Sequence, residues 1–332
     1  MDSWDNPAYD AALAYQKTAA LTAAVKLNIF TLIAGGATST DALAAKTGAS
    51  ARGIRILCDF LAVIGLLTKQ DGAYGLTESA RRYLDPSSPA WMGGSIDFYA
   101  APEIQRLVLD DPVSYVRNGG SPGLAHLAPD NPIWLRFAEA MSPTARLAAK
   151  RAAVYLAAGA GPPATVLDVA AGHGFYGIEL AKAFPQSIVT AVDWPGVLEL
   201  ASANARDAGV GESFRVVKGN AFEVDWGGEF DLIILANFLH HFGPDACATI
   251  LRKVKSSLSR EGRACAIEFV PDEDRASTPT HAMFAFLMLA TTPGGDAFTL
   301  SEYDEFARAA GFRRATARPL RPTPQSLIMF EA

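Results

Sequence analysis

Cysteine is scarce in this sequence: Cys58, Cys247 and Cys265 are the only three in 332 residues, far apart and without a CxxC pair. That pattern excludes a disulfide framework and offers no metal-ligand spacing. The thiols read as reduced, buried small hydrophobes of a cytoplasmic protein, and no metal is expected. Long apolar runs are missing too. The longest nearly uncharged stretch, around His281–Thr292, is too short to span a bilayer, so no membrane partner is expected. The N-terminus, Met1–Tyr9, is acidic and lacks the basic-then-apolar layout of a secretory signal. Positive charge is not in excess either. The 29 Lys and Arg are outnumbered by 35 Asp and Glu, and a net charge of −6 argues against a nucleic-acid partner. What remains is a soluble composition, 50% hydrophobic and 19% charged, in a chain long enough for two domains.

The two halves differ in grammar. From Asp10 to about Leu84 the sequence is helical and rich in Ala and Leu. "STDALAAKTG" opens on capping residues and closes on Gly48, "ASARGIRILCDFLAVIGLL" follows as a second helix, and Asp71-Gly72 marks a two-residue hairpin turn. Helix, turn, helix and hairpin describe a winged helix, so a DNA-binding regulator has to be weighed. The second helix carries Ile54, Ile56, Leu57, Phe60, Leu61, Val63 and Ile64, with Arg52 and Arg55 as its only cations. Residues 1–90 hold eight Lys/Arg and eight Asp/Glu, a net of zero, where a DNA binder has a basic footprint. The expected partner of this unit is therefore protein, most simply a second copy. A connector over 99–160 is helical with breaks such as "NGGSPG", and it places Phe137 and Met141 one helical turn apart. By itself that pair reads as a core stripe.

From residue 161 strands and helices alternate. "ATVLDVA", "SIVTAVD", "FRVVKG", "FDLIILAN" and "RACAIEFV" are apolar strands, separated by helices such as "GVLELASANARDAG" and "DACATILRKVKSSL". Continuous apolar strands imply a parallel sheet covered on both faces, with its ligand at the C-terminal strand ends. The expected fold is α/β: a C-terminal doubly wound domain over 161–332 behind a mostly helical, winged-helix-like unit over 1–98.

The first strand runs into "DVAAGHG" and then directly into a helix. Small residues at Ala170, Gly172 and Gly174 let a ligand approach the backbone ahead of a helix N-terminus. Asp168 inside the loop would repel a pyrophosphate and suits a ligand with positive charge. Alternatively it braces the loop. Asp193, which ends the next strand, can accept from two ribose hydroxyls, or simply close a turn.

This pattern, an acid before the small-residue loop and an acid ending the second strand, resembles that of class I S-adenosylmethionine-dependent methyltransferases. "NFLHHFGPD" narrows it, because it is similar to the L-H-D-W-x-D-E motif of small-molecule O-methyltransferases of the acetylserotonin and caffeate type. Those enzymes pair a winged-helix-like dimerisation domain with a Rossmann-like catalytic domain, so the resemblance covers nearly the whole chain. It implies a homodimer, S-adenosylmethionine as cofactor with S-adenosylhomocysteine as product, and a small acceptor from secondary metabolism. It also implies cofactor contacts from Asp168, Ala170, Gly172, Gly174, Asp193, Trp194, Gly219, Asn220, Ala221, Phe222 and Asn237. The family glycines at positions 170 and 171 are alanines here, which a backbone at negative φ tolerates. Asn220 stands where the family has aspartate, and its side-chain carbonyl is expected to accept from the adenine amino group, with Phe222 flanking the ring. His173 is unusual in such a loop and is expected to face solvent.

The resemblance makes His240 the catalytic base and puts His241 in the place of the family's aspartate. A phenol is mostly protonated at neutral pH, and a neutral imidazole is suited to remove its proton. Glu268, ending the next strand, matches a glutamate that flanks this histidine. The family's second glutamate is absent: "GGDAFT" has Ala297 there, and Asp296 beside it is expected to point away. The resemblance also turns Phe137, Met141, His241, Met283, Phe286, Met288 and Thr292 into the wall of an acceptor pocket. Without it these residues would be assigned to the core. Transfer to carbon or nitrogen, a ligand-sensing regulator and a catalytically dead cofactor binder are the rival readings.

Overall fold

The computed structural model describes residues 6–124, 127–159 and 161–331. The first residues of the acidic N-terminal stretch, Ala160 and the final Ala332 lie outside them. The chain divides into two compact units, Met1–Gln105 and Arg106–Ala332.

The first unit contains helices α1 (Pro7–Ala12), α2 (Ala14–Lys26), α3 (Ile29–Ala34), α4 (Thr40–Thr47) and α5 (Ala51–Val63). A hairpin of β1 (Leu67–Gln70) and β2 (Ala73–Leu76) follows, then α6 (Glu78–Tyr83) and α7 (Gly93–Tyr99). Local chemistry explains the boundaries. Ser39 caps α4 by accepting from Ala42 N at 3.2 Å, Gly48 ends it at φ 69°, and Ser50 caps α5. Asp71 and Gly72, at φ 51° and 79°, close the hairpin as a primed turn. One face of α5 buries Ile54, Cys58 and Leu61 with Leu67 and Tyr74 of the hairpin. Its cation Arg55 is held by Asp59 at 3.2 Å, and Asp59 also takes Lys69 and the Tyr74 hydroxyl. The winged-helix expectation holds, and the helix that would read DNA spends Arg55 within its own unit.

Helix α8 (Pro102–Leu109) carries the boundary between the units, and α9 (Pro112–Asn118) and the long α10 (Pro132–Gly159) follow. The second unit then has β3 (Thr165–Val169), α11 (Phe175–Ala183), β4 (Ile188–Asp193), α12 (Pro195–Asp207), β5 (Phe214–Lys218) and β6 (Phe230–Ala236). It ends with α13 (Pro244–Ser256), β7 (Leu258–Glu268), α14 (Pro279–Thr291), α15 (Leu300–Ala309), β8 (Arg314–Pro319) and β9 (Ser326–Glu331). Seven strands form one sheet in the order β5-β4-β3-β6-β7-β9-β8; the first five are mutually parallel and β9 is antiparallel to both neighbours. The central strands are buried on both faces, as their unbroken apolar runs require: Val166, Leu167 and Val169 of β3 and Leu232 to Leu235 of β6 are fully covered, while the edge strands β5 and β8 are largely exposed. The chain leaves β3 toward β4 and β5, then returns to β6 on the other side. That reversal opens a crevice at the C-terminal ends of β3 and β6. The loops 170–174 and 237–241 lie there.

Candidate active site

Asp168 is wholly buried at the end of β3, where its Oδ2 accepts from Gly177 N at 2.8 Å. Gly177 is required at that contact, since a Cβ there would lie 2.9 Å from the same oxygen. Asp168 therefore braces the first turn of α11, while its Oδ1 is buried without a partner among the described residues. Burial pushes this carboxyl up to about 7, against the Gly177 bond that lowers it. The loop then turns through Gly172 and Gly174 at φ 57° and 79°. Ala170 departs from expectation: its φ is 55°, in the left-handed region where a Cβ costs about 1–2 kcal/mol. The methyl group is carried as strain rather than accommodated at negative φ.

His173 also departs from expectation. It is buried, not solvent-facing, with its ring stacked 4.7 Å from Phe175 and its Nδ1 accepting from Phe175 N at 3.2 Å. Burial, and then the Arg146 guanidinium, pull it down to about 3, so it is a neutral packing and capping group.

At the end of β4, Asp193 accepts from Gly172 N at 2.8 Å through Oδ2 and from Trp194 N at 2.7 Å through Oδ1. Each oxygen keeps a lone pair for a hydroxyl. Burial pushes this carboxyl up to about 6. Beyond β5, Gly219 to Phe222 form a turn in which Asn220 Oδ1 accepts from Phe222 N at 3.0 Å. The carbonyl expected to meet an adenine amino group thus gives one lone pair to its own loop and keeps the other, and the turn fixes Ala221 and Phe222. Asn237 follows β6 at φ 52°; its Nδ2 donates to the Tyr176 hydroxyl at 3.1 Å, and its Oδ1 is buried without a partner among the described residues. Two orphaned buried acceptors, Asp168 Oδ1 and Asn237 Oδ1, fit a ligand that brings N–H donors.

The two histidines lie on a 3-10 turn, Leu239–His241. Glu268, ending β7 with no exposure at all, organises it: Oε1 accepts from Phe238 N at 2.9 Å and Leu239 N at 2.7 Å. Its Oε2 lies 2.5 Å from Nδ1 of His240, which is 4% exposed. A carboxylate already taking two N–H bonds is an acceptor toward the ring as well, so Nδ1 carries the proton and Nε2 the lone pair. His241 is half-buried with its ring 4.2 Å from that of His240 and 6.4 Å from Phe137. Burial, and then the neighbouring His240, pull it well below the ordinary imidazole range.

The 292–296 loop backs onto this turn. Asp296 N donates to His240 O at 3.0 Å, and a Cβ on Gly295 would lie 2.2 Å from that oxygen. Asp296 turns its carboxylate to Arg275 at 3.2 Å, and Ala297 is fully buried. No second carboxylate reaches the histidines from this segment.

The expected acceptor wall is brought together only in part. Phe137 meets His241, and Met141 lies one turn further along α10. On α14, Met283 and Phe286 turn outward, 73% and 49% exposed, with Phe286 against Tyr115. Met288 is buried; the Thr292 hydroxyl donates to Met288 O at 2.7 Å and accepts from Gly295 N at 2.8 Å, so it is used internally. The residue of α14 that stands on His240 is Phe284, at 4.8 Å and 89°, itself stacked 3.9 Å from Phe269. Helical phase carried the signal, since 284 and 288 share a face that 283 and 286 do not. Among the described residues no group of His, Cys, Asp and Glu has metal-site geometry, and no helix is long and apolar enough to cross a membrane.

Comparison with known proteins identifies the family. The model of the O-methyltransferase domain matches residues 103–313, and that of the O-methyltransferase dimerisation domain matches residues 9–86. A 3-hydroxy-5-methyl-1-naphthoate 3-O-methyltransferase of Streptomyces sahachiroi is 28% identical over 91% of this chain and 88% of its own. A crystal structure of an assigned O-methyltransferase from Nostoc punctiforme is 40% identical, with a TM-score of 0.93 over 99% of this chain and all of the other. PigF, a methyltransferase of Serratia solved with SAH, is 25% identical at a TM-score of 0.83 over 98% of both chains. By catalytic domain, dimerisation domain and fold, the chain belongs to the O-methyltransferase family.

Proposed function

We propose that this S-adenosylmethionine-dependent O-methyltransferase methylates a hydroxyl of a small aromatic acceptor, with His240 as general base. The observation that carries the base assignment is the buried Glu268–His240 pair at 2.5 Å, which leaves Nε2 as the free lone pair. When bound, the cofactor supplies an electrophilic methyl group on a positively charged sulfur. The chain's own residues prepare the other reactant. Nε2 of His240 takes the hydroxyl proton, and Glu268 stabilises the imidazolium so formed, as in any base oriented by a third group. Phe137, Phe284 and Phe269 provide an apolar setting suited to a flat ring. Relatives named for a hydroxynaphthoate, in Streptomyces sahachiroi, and for a phenazine, in Lysobacter antibioticus, support an aromatic acceptor. The direct test is transfer of a labelled methyl group to a phenolic oxygen, lost when His240 is replaced.

Asp193 is assigned to the ribose hydroxyls, and Asp168 Oδ1 with Asn237 Oδ1 to the ammonium end of the cofactor. This gives a pH dependence. In the free protein Asp193 holds its proton up to about pH 6, because burial disfavours the carboxylate. The carboxylate is the form that accepts two hydroxyls, so binding favours deprotonation. Affinity for S-adenosylhomocysteine should then rise with pH through this value, continue to rise through about 7, where Asp168 loses its own proton and can meet the ammonium, and level off above that, changing up to about tenfold per pH unit for each carboxyl still protonated. Calorimetry between pH 5 and 7.5 checks this; an affinity flat over that range, or unchanged in Asp193→Asn, removes Asp193 from the site.

The dimerisation-domain match leads to a homodimer as the assembly. In the first unit Tyr15, Ile56 and Val63 are apolar yet 60%, 43% and 83% exposed, which leaves surface for a second copy to cover. Sedimentation velocity at micromolar concentration should give twice the chain mass. A monomer there contradicts the assignment.

A further inference from the structure

The second unit also has an open cavity of about 670 Å³ between the C-terminal half of α10 and the turn that leaves β8. It shares no residue with the loops that hold the base and the cofactor, and it is lined by Arg151, Arg318 and Arg321. Local spacing brings these together. Arg151 and Tyr155 stand one turn apart on α10, while Arg318 and Arg321 flank Pro319 and Leu320 at the end of β8. The Arg318 guanidinium lies over the Tyr155 ring at 4.7 Å, which fixes it on the cavity wall. No carboxylate lines the cavity, and none of the three arginines has an acidic partner among the described residues. Arginines elsewhere on this edge are neutralised: Arg313 and Arg314 share Glu331 at 2.5 and 2.8 Å, and Asp304 holds Arg308 at 2.7 Å. Acids outnumber bases in this chain by 35 to 29, yet none is spent here. Three uncompensated guanidiniums on one cavity repel one another until an anion joins them.

We propose that this cavity is a second binding site, for a phosphate monoester of a small organic molecule. Guanidinium forks match phosphate oxygens, and three of them need more acceptor than a carboxylate offers. A phosphate monoester brings three terminal oxygens and a charge of about −1.5 to −2 at pH 7. A carboxylate brings two oxygens and one charge. The rest of the wall points to a phosphate carried on a carbon skeleton. Val154, 68% exposed, lies beside Pro319 and the Tyr155 ring, and together they give the cavity an apolar floor. Inorganic phosphate would leave that floor in water. The volume also falls within the range of small-molecule sites, about 300–1,000 Å³.

Calorimetry on the full chain, saturated with S-adenosylhomocysteine and held at one ionic strength, tests this with 1-naphthyl phosphate and inorganic phosphate as probes. One 1-naphthyl phosphate per chain should bind with a Kd of about 1 mM or tighter, and about tenfold more tightly than inorganic phosphate. Arg151→Gln and Arg321→Gln should each weaken it by about tenfold, the loss of one charged hydrogen bond. The double variant should show no saturable binding, with melting temperature and affinity for S-adenosylhomocysteine unchanged. Arg321→Lys keeps the charge but not the fork, and should recover part of the loss. Absence of saturable binding to the wild type overturns the assignment. So does binding that persists in the double variant, because the probe then sits elsewhere on the protein. Inorganic phosphate bound as tightly as 1-naphthyl phosphate overturns the organic ligand and leaves free phosphate as the source.

Discussion

His240→Ala should lower kcat by about 10²–10⁴ while leaving cofactor affinity nearly unchanged, because the lost group acts only as the hydroxyl proton leaves. The geometry makes the cost specific. Nδ1 is committed to Glu268 at 2.5 Å, so the only free lone pair of the ring is on Nε2, and alanine removes it with nothing nearby to replace it. His241 cannot substitute, since its ring is displaced toward Phe137 and lacks a carboxylate partner to stabilise an imidazolium. His241→Ala should therefore cost far less on a simple phenol. Single-turnover rates at saturating cofactor, with affinity measured separately, make the comparison. A larger loss for His241→Ala than for His240→Ala would reverse the roles. A small loss in both would move the chemistry to an acceptor that needs no base, such as an amine or activated carbon.

What the sequence made legible was what local rules decide. The Asp71-Gly72 turn, the Ser39 and Ser50 caps and the strand-by-strand alternation all depend on neighbours within a few residues, and all appear in the structure. The acids at strand ends, Asp168, Asp193 and Glu268, were legible because a parallel sheet puts its strand ends on one rim. Tertiary choices were not. Ala170 takes a positive φ because the loop must double back to Asp193, and composition carries no mark of that. His173 is buried because Arg146 and Asn204, from α10 and α12, close over the loop: Arg146 stacks on Phe175 at 3.9 Å and Asn204 holds His173 O at 2.8 Å. Both partners are more than 25 residues away in sequence. On α14 every residue from Met283 to Met288 is apolar, so hydrophobicity could not identify the inward face, and Phe284 was missed.

Glu268→Gln is expected to be nearly as damaging as loss of His240, with a kcat lowered by about 10²–10⁴, although the substitution changes only one atom. Glutamine keeps a carbonyl oxygen for Phe238 N and Leu239 N, so the turn can keep its two bonds of 2.9 and 2.7 Å. Its amide N–H₂ then faces His240 Nδ1 as a donor. The ring answers by moving its proton to Nε2, where it can no longer accept one from the acceptor, and no negative charge remains to stabilise the imidazolium. Glu268→Ala adds a separate penalty, because two buried backbone N–H groups lose their acceptor at about 1–3 kcal/mol each. The pair of variants thus divides catalysis from folding. Melting temperature should fall clearly for alanine and little for glutamine, while both lose turnover. If Glu268→Gln turns over like the wild type at an unchanged melting temperature, then Glu268 holds the turn and nothing more, and His240 does not need its charge.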